Sequence, residues 1–211
     1  MDTKERILET KIIAIARGIY GSELVFAAQA LYEGGVRAFE VTFEQDKPLS
    51  VTAESIRLLL DSLPEDAVIG AGTVMSAEQA LIAKEAGASF VISPNTDREV
   101  IGEAKRLSLV SIPGAMTPTE IAAAYSYGAD IVKVFPAGIL GVEYFKAIKA
   151  PLKHIPMAAV AAITLDNIKD FHEAGAAAFG ISSSLFDKSA IKNGNFESLT
   201  NAAKEFISAV K

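Results

Sequence analysis

The sequence predicts an α/β fold, a (β/α)8 or TIM barrel with a short extra N-terminal helix. Short runs of apolar residues alternate with helix-length segments along all 211 residues, and such alternation favours parallel strands joined by right-handed crossovers. Eight such units are the number that closes a barrel. A third observation is a glycine repeated at equal spacing before alternate strands. The alternation alone also fits an open, doubly wound sheet.

The predicted strands, in chain order, are residues 11–17, 38–43, 67–73, 90–94, 109–114, 131–137, 156–163 and 178–186. Helical patterns fill the gaps, for example residues 22–33, 76–85, 117–125 and 165–174. A short helix over residues 3–9 is expected to cross the barrel floor. No low-complexity linker interrupts the pattern, so residues 1–211 are expected to form one domain.

The glycine repeat predicts which side chains share a layer of the barrel interior. Each of four glycines ends a helix and is followed by a strand about three residues later, as a C′ glycine would be: Gly35, Gly87, Gly128 and Gly175. The residues five positions further on are Glu40, Ile92, Lys133 and Gly180. The second and sixth strands of an eight-stranded barrel face each other. We therefore expect Glu40 and Lys133 on opposite walls in similar register.

Composition excludes several classes of protein. The absence of Cys excludes disulfides and thiolate metal sites, and it is consistent with a reducing cytoplasm. The presence of only two His argues against a metal site built from imidazoles, while a carboxylate site for magnesium stays open. A net charge of −6 without basic clusters argues against nucleic acid as a partner. No apolar run is long enough to cross a membrane, and residues 1–6 lack the order of a secretory signal.

Lys133 is the first candidate for chemistry, because residues 131–136 are otherwise almost all apolar. Burial disfavours the ammonium form and lowers the pKa of a lysine, which makes a free amine available near neutral pH. Such an amine attacks a carbonyl and forms an iminium that accepts electrons when a neighbouring C–C bond breaks. The structural alternatives are a lysine neutralised by a carboxylate and one that snorkels from a strand end.

Glu40 is the second candidate, in another apolar strand at residues 39–43. A carboxyl whose pKa is raised by burial can serve in turn as base and acid. Its structural alternative is that it only neutralises Lys133, and the two roles are compatible in the resting protein.

Other candidates lie at the predicted mouth of the barrel. Thr73 follows Gly70-Ala71-Gly72, whose small residues permit close approach of a ligand, although a tight turn explains them equally well. Pro94 and Pro113 close two strands and shape the mouth. Arg17 is either an anion contact or a solvated charge.

The loops after the last two strands are a candidate anion site, because phosphate-binding barrels present backbone N–H groups there. Ala161 and Ala162 occupy the first of these places and Ser182-Ser183-Ser184 the second. Three hydroxyls suit a phosphate, while a serine-rich helix cap is the alternative.

Eight motifs share the order and spacing of one known family, from about residue 5 to residue 190: Ile13-Ala14-Ile15-Ala16-Arg17, Gly34-Gly35-Val36, Glu40-Val41-Thr42, Gly70-Ala71-Gly72-Thr73-Val74, Ile92-Ser93-Pro94, Ile112-Pro113-Gly114, Met116-Thr117-Pro118-Thr119-Glu120 and Lys133-Val134-Phe135-Pro136. On these motifs the chain resembles the 2-keto-3-deoxy-6-phosphogluconate (KDPG) and 4-hydroxy-2-oxoglutarate (KHG) aldolases. The combination of Gly-Ala-Gly-Thr-Val with Lys-x-Phe-Pro is the specific part.

The resemblance implies a cytoplasmic class I aldolase without metal or cofactor, usually a homotrimer, acting on a small 2-keto acid. Lys133 would form a Schiff base with the C2 ketone, and Glu40 would move protons at the C4 hydroxyl, through a water, and at C3. Thr73 would hold the pyruvate carboxylate. The remaining implied contacts are Arg17, Pro94, Pro113 and Phe135 in the pocket, and Ala161, Ala162, Ser183 and Ser184 near a distal phosphate.

Two departures from the family pattern bear on the substrate. Glu44 stands where several members carry an Arg that grips the substrate carboxylate, and it would repel an anion unless it turns away. Ala161-Ala162 replaces a Gly-Gly pair, and Ser182-Ser183 replaces smaller residues. Methyl groups at a backbone phosphate site would crowd the anion.

Three hypotheses follow. The first is retro-aldol cleavage of KDPG or KHG to pyruvate and an aldehyde, either glyceraldehyde 3-phosphate or glyoxylate. The second is cleavage of a related acid that lacks the phosphate or has the other configuration at C4. The third is a non-catalytic barrel that binds a small acid or serves as a scaffold.

Overall fold

Eight parallel strands form the barrel in the computed structural model, which describes residues 1–211. The strands are β1 (Ile12–Ala16), β2 (Ala38–Thr42), β3 (Val68–Gly72), β4 (Phe90–Ile92), β5 (in two segments, Val110–Ile112 and Gly114–Ala115), β6 (Val132–Val134), β7 (Met157–Val160) and β8 (Ala178–Ile181). The predicted TIM barrel is confirmed.

The ring of strands closes at Pro113. Because β5 has two segments, the sheet contains nine hydrogen-bonded segments. Their order runs from the first segment of β5 through β4, β3, β2, β1, β8, β7 and β6 to the second segment of β5. The first half pairs with β4 and the second with β6. Proline has no N–H to donate and therefore interrupts the ladder, while its carbonyl oxygen accepts the Lys133 N–H at 2.9 Å.

Helices surround the ring. They are α1 (Thr3–Thr10), α2 (Gly21–Glu33), α3 (Leu49–Ser62), α4 (Ala77–Glu85), α5 (Arg98–Arg106), α6 (Pro118–Ser126), α7 (Ala137–Leu140), α8 (Val142–Lys149), α9 (Ile168–Glu173), α10 (Lys188–Lys192) and α11 (Phe196–Ala209). None of them combines the length and the apolar character that a membrane crossing requires.

Alternation along the strands separates two apolar clusters. Ile12 and Ala14 of β1 face the large outer cluster between sheet and helices, whereas Ile13 and Ile15 belong to a smaller cluster in the lumen. Ile7 of α1 joins the inner cluster. The extra N-terminal helix therefore closes the lumen from one end, as the sequence predicts.

The glycine repeat has the predicted geometry. Gly35, Gly87, Gly128 and Gly175 all have a positive φ, at 106°, 99°, 107° and 94°, a region that L side chains rarely adopt. Each glycine thus ends its helix and turns the chain into the next strand.

The predicted ends of several strands are wrong. The seventh strand ends at Val160 instead of residue 163, and the eighth ends at Ile181 instead of residue 186. Ile163, Leu185 and Phe186 are nevertheless buried. An apolar run indicates that residues are buried, but not that they form the hydrogen bonds of a β-sheet. Buried loop residues after a strand therefore make the predicted strand too long.

Candidate active site

A cavity of about 540 Å³ lies at the carboxyl ends of the strands. Ten of the eleven residues that the sequence singled out line it: Arg17, Glu40, Thr73, Pro94, Lys133, Phe135, Ala161, Ala162, Ser183 and Ser184. Pro113 does not line it; this residue is buried in the wall, within β5. The structure therefore brings together residues that lie on, or directly after, seven of the eight strands and that are far apart in sequence.

Lys133 and Glu40 project into this cavity from opposite walls. Lys133 is 7% exposed and Glu40 is 1% exposed. Burial, followed by the positive charge of Arg17, lowers the pKa of Lys133, and Glu40 opposes that shift. Burial raises the pKa of Glu40, and the charges of Lys133 and Arg17 oppose it. Each group is thereby pushed toward its neutral form.

The two groups do not form an ion pair. No nitrogen–oxygen distance of 4.0 Å or less joins them, and Glu40 Oε2 is buried without a hydrogen-bond partner. A buried carboxyl oxygen ordinarily has a partner. One carboxyl oxygen of Glu40 is thus unpaired beside a buried amine that it does not touch.

Gly72 makes room for Glu40. A Cβ at residue 72 would overlap the Glu40 carboxyl, with Oε1 as the nearest atom. Thr42 pairs with Gly72 across the β2–β3 ladder, so the two strands are in close register at this point. The absence of a side chain in the neighbouring strand is therefore what lets the carboxyl reach the cavity.

Thr73 and Arg17 form the next contact at the mouth. Arg17 Nη2 donates to Thr73 Oγ1 at 3.0 Å. Thr73 has a φ of 56° although it is β-branched, which is a strained conformation. Phe135 lies on the other side, with its ring centroid 4.8 Å from Lys133 Nζ.

Glu44 turns away from the cavity. It is not among the lining residues, and its Oε2 lies 2.7 Å from Lys47 Nζ. Hydrogen bonds from Lys47 and then Tyr20 lower the pKa of Glu44, so it stays ionised. The negative charge at this position is therefore neutralised outside the cavity instead of facing a substrate.

The loops after β7 and β8 close one side of the cavity. Ala161 and Ala162 have φ values of 77° and 53°, which suit glycine better than alanine. Asn167 holds the first loop by donating from Nδ2 to the Ala162 carbonyl at 2.9 Å. In the second loop, Ser182 Oγ donates to the Ile15 carbonyl at 3.1 Å, while Ser183 and Ser184 are exposed.

Sequence reasoning missed several lining residues. They are Ile15, Val160, Ile163, Thr164 and Ile181, most of them on β1, β7 and β8 or just beyond them. Ile15 and Val160 occupy inward positions of the period-two alternation, and that signal would have found them. Thr164 lies in a loop, where no such period applies.

A parallel barrel with a buried amine and a buried carboxyl at its carboxyl-terminal mouth belongs to the class of barrel enzymes. The family model described as "KDPG and KHG aldolase" matches residues 3–202. A probable 2-dehydro-3-deoxy-6-phosphogalactonate aldolase of Rhizobium meliloti is 35% identical over 180 residues, which cover 85% of this chain and 83% of that protein. A 2-dehydro-3-deoxy-phosphogluconate aldolase of Haemophilus influenzae is 29% identical over 98% of this chain and 96% of its own.

Solved structures agree. The KDPG aldolase of Legionella pneumophila, described as holding pyruvate captured as a covalent carbinolamine intermediate, has a TM-score of 0.85 at 26% identity and covers 97% of both chains. The chain therefore belongs to the KDPG and KHG aldolase family. It is an aldolase, which makes it a lyase.

Proposed function

We propose that this aldolase uses a Schiff base on Lys133 to cleave a 2-keto-3-deoxy sugar acid, or 4-hydroxy-2-oxoglutarate, to pyruvate and an aldehyde. The observation that carries the proposal is the pair of Lys133 and Glu40, both buried in one cavity and not ion-paired. Burial lowers the pKa of Lys133, which makes the nucleophilic free amine easier to form. The carbinolamine named for the Legionella relative supports the same chemistry.

The reaction begins at Lys133. Its free amine adds to the C2 ketone to give a carbinolamine, which loses water to become an iminium. The electrons of the C3–C4 bond then move into the iminium as the C4 hydroxyl loses its proton, and the aldehyde leaves. Protonation of the resulting enamine at C3 restores the iminium, and water releases pyruvate and the amine.

Glu40 moves the protons in this scheme. It accepts the C4 hydroxyl proton, directly or through a water, and returns a proton to C3. A carboxyl whose pKa is raised by burial suits both transfers, because it is a stronger base than an ordinary carboxylate and can hold a proton to return. Thr73, with Arg17 bonded to its hydroxyl, receives the carboxylate next to the ketone.

Two substrate classes remain to be separated. The named relatives act on 6-phosphogalactonate and phosphogluconate derivatives, which favours a phosphorylated 2-keto-3-deoxy acid with either configuration at C4. The methyl groups of Ala161 and Ala162 favour the second candidate, an acid without the phosphate. A working phosphate site would raise kcat/KM for the phosphorylated acid by at least tenfold over its dephosphorylated form, whereas equal values support the second candidate.

Pyruvate release from a panel of 2-keto-3-deoxy acids tests the proposed reaction. Lys133→Met should lose all detectable release. Lys149→Met is the matched control, since burial lowers the pKa of Lys149 as well, but its Nζ donates to the carbonyl oxygen of Ile155 at 2.6 Å and is not in the cavity. Release that survives in Lys133→Met would refute the Schiff base.

We also propose that the protein is a cytoplasmic homotrimer of single-domain barrels. Exposed apolar side chains support an assembly, because Met116, Tyr127 and Phe135 share one surface depression beside the mouth. Light scattering after size exclusion should give three times the chain mass, and a monomer would contradict the proposal.

A further inference from the structure

Thr73 requires support from its surroundings. Its φ of 56° is unusual for a β-branched residue, and such conformations persist only where neighbouring groups hold them. Its hydroxyl already accepts from Arg17 Nη2 at 3.0 Å. The orientation of this hydroxyl at the cavity therefore depends on whatever fixes the backbone of residue 73.

Two glutamines fix that backbone from outside the cavity. Gln45 Nε2 donates to the Thr73 carbonyl oxygen at 3.0 Å, and Gln45 Oε1 accepts from Gln79 Nε2 at 2.9 Å. Gln79 Oε1 accepts the Met75 N–H at 2.6 Å. The chain of bonds, which we call the glutamine relay, joins the loop after β2 to α4 and spans the strained residue.

The two glutamines differ in burial. Gln79 is 5% exposed, so its amide has no water to replace these partners, and its bonds are costly to break. Gln45 is exposed. Neither glutamine lines the cavity. Any effect of the relay on a substrate must therefore act through Thr73.

We propose that Gln45 and Gln79 are positioning residues, which hold Thr73 and its bonded Arg17 ready for the carboxylate of the 2-keto acid. The inference rests on the proposed function, because it takes Thr73 as the carboxylate contact. The guanidinium of Arg17 is bonded to Thr73 and carries the positive charge for the carboxylate. Glu44 is paired with Lys47 instead. Holding Thr73 also holds that cation.

Two ketones test the relay in Gln45→Leu. Pyruvate and methyl pyruvate carry the same ketone, but only pyruvate has a carboxylate. Gln45→Leu should raise the pyruvate concentration for half-maximal borohydride trapping about fivefold to tenfold, the size expected for losing the hydrogen bond to the Thr73 carbonyl, and leave the value for methyl pyruvate unchanged. Because Gln45 is exposed, the variant should fold. The matched control Gln29→Leu, an exposed glutamine on α2, should change neither value.

If Gln45 and Gln79 act in series on Thr73, the losses of pyruvate trapping in the two single variants should not add in the double variant. Gln79→Leu should give the same pyruvate-selective loss, and the double variant should be no worse than either single variant. Equal losses with both ketones, or additive losses, would overturn the relay.

Binding without covalent chemistry separates this inference from the proposed function. In a Lys133→Ala background, calorimetric titration with pyruvate should still show weaker binding when Gln45 is replaced by Leu. Unchanged binding would overturn the relay even if Lys133 reacts. A protein that traps no ketone but binds pyruvate in a Gln45-dependent manner would refute the Schiff base and support the relay.

Discussion

At the residue scale, Glu40 and Lys133 control each other's protonation. Ionised Glu40 raises the pKa of Lys133 against the larger lowering by burial. Removing that charge in Glu40→Gln should lower the pKa of Lys133 further, so the free amine persists to lower pH. The pH profile of pyruvate trapping by borohydride should shift downward, although turnover falls by about 10²- to 10⁴-fold.

Glu44→Gln is the control for this pH shift, because Glu44 lies outside the cavity and pairs with Lys47. Its trapping profile should match that of the unaltered protein. An unchanged or upward-shifted profile in Glu40→Gln would show that the two groups do not interact as described.

Gly72 gives a second test at this scale. Gly72→Ala should displace the Glu40 carboxyl, which a Cβ would overlap, and lower kcat by about 10²-fold or more through the loss of proton transfer. Gly102→Ala is the matched control, since its Cβ would meet no atom within 4 Å in the middle of α5. Circular dichroism should show both variants folded; full activity in Gly72→Ala would contradict the account.

The sequence predicts the role of a single residue where a regular spacing along the chain places that residue in the barrel. Glu40 and Lys133 follow from the glycine spacing and from the apolar residues around them. The role of Gly72 does not follow from the sequence, because it depends on the Glu40 side chain in the neighbouring strand. The orientation of Glu44 depends on Lys47, three residues further on, and on Tyr20 in another loop. The spacing to Lys47 is local and could have indicated the ion pair, whereas the contact with Tyr20 depends on the fold.

At the scale of elements, the loop after β7 is under strain. Replacing Ala161 or Ala162 with glycine should stabilise the protein by about 1 kcal/mol each, because their φ values of 77° and 53° disfavour a Cβ. Denaturation in urea measures this change. The same variants should increase kcat/KM for phosphorylated over dephosphorylated substrate, since the methyl groups no longer crowd the anion.

Ala174→Gly is the control for the loop. Ala174 has a φ of −72°, so glycine relieves nothing there and should cost about 0.5–1 kcal/mol. If Ala161→Gly and Ala162→Gly destabilise the protein as Ala174→Gly does, the loop after β7 is not strained. The sequence indicated this loop as a candidate anion site and as a departure from a family pattern, but it did not reveal the strain, because φ is a property of the folded backbone.

At the scale of the molecule, the proposed trimer makes its own prediction. Met116→Glu places a charge in the depression shared with Tyr127 and Phe135 and should dissociate the assembly in light scattering. Met75→Glu is matched in exposure, at 43% against 44%, but lies outside that depression. A trimer that persists in Met116→Glu would place the interface elsewhere.

The barrel as a whole was predictable, since strand count and alternation depend on short-range patterns. The place where the ring of strands closes was not predictable. Pro113 divides β5 so that each half serves a different neighbour, and such pairing depends on contacts distant in sequence. Pro113 itself is buried in the wall and does not line the cavity.

Reduction with borohydride in the presence of pyruvate, followed by peptide mass mapping, tests the central claim most directly. The account predicts one pyruvate-derived adduct, on Lys133, which is absent in Lys133→Met and kept in Lys149→Met. An unmodified protein, or an adduct on another lysine, would contradict it.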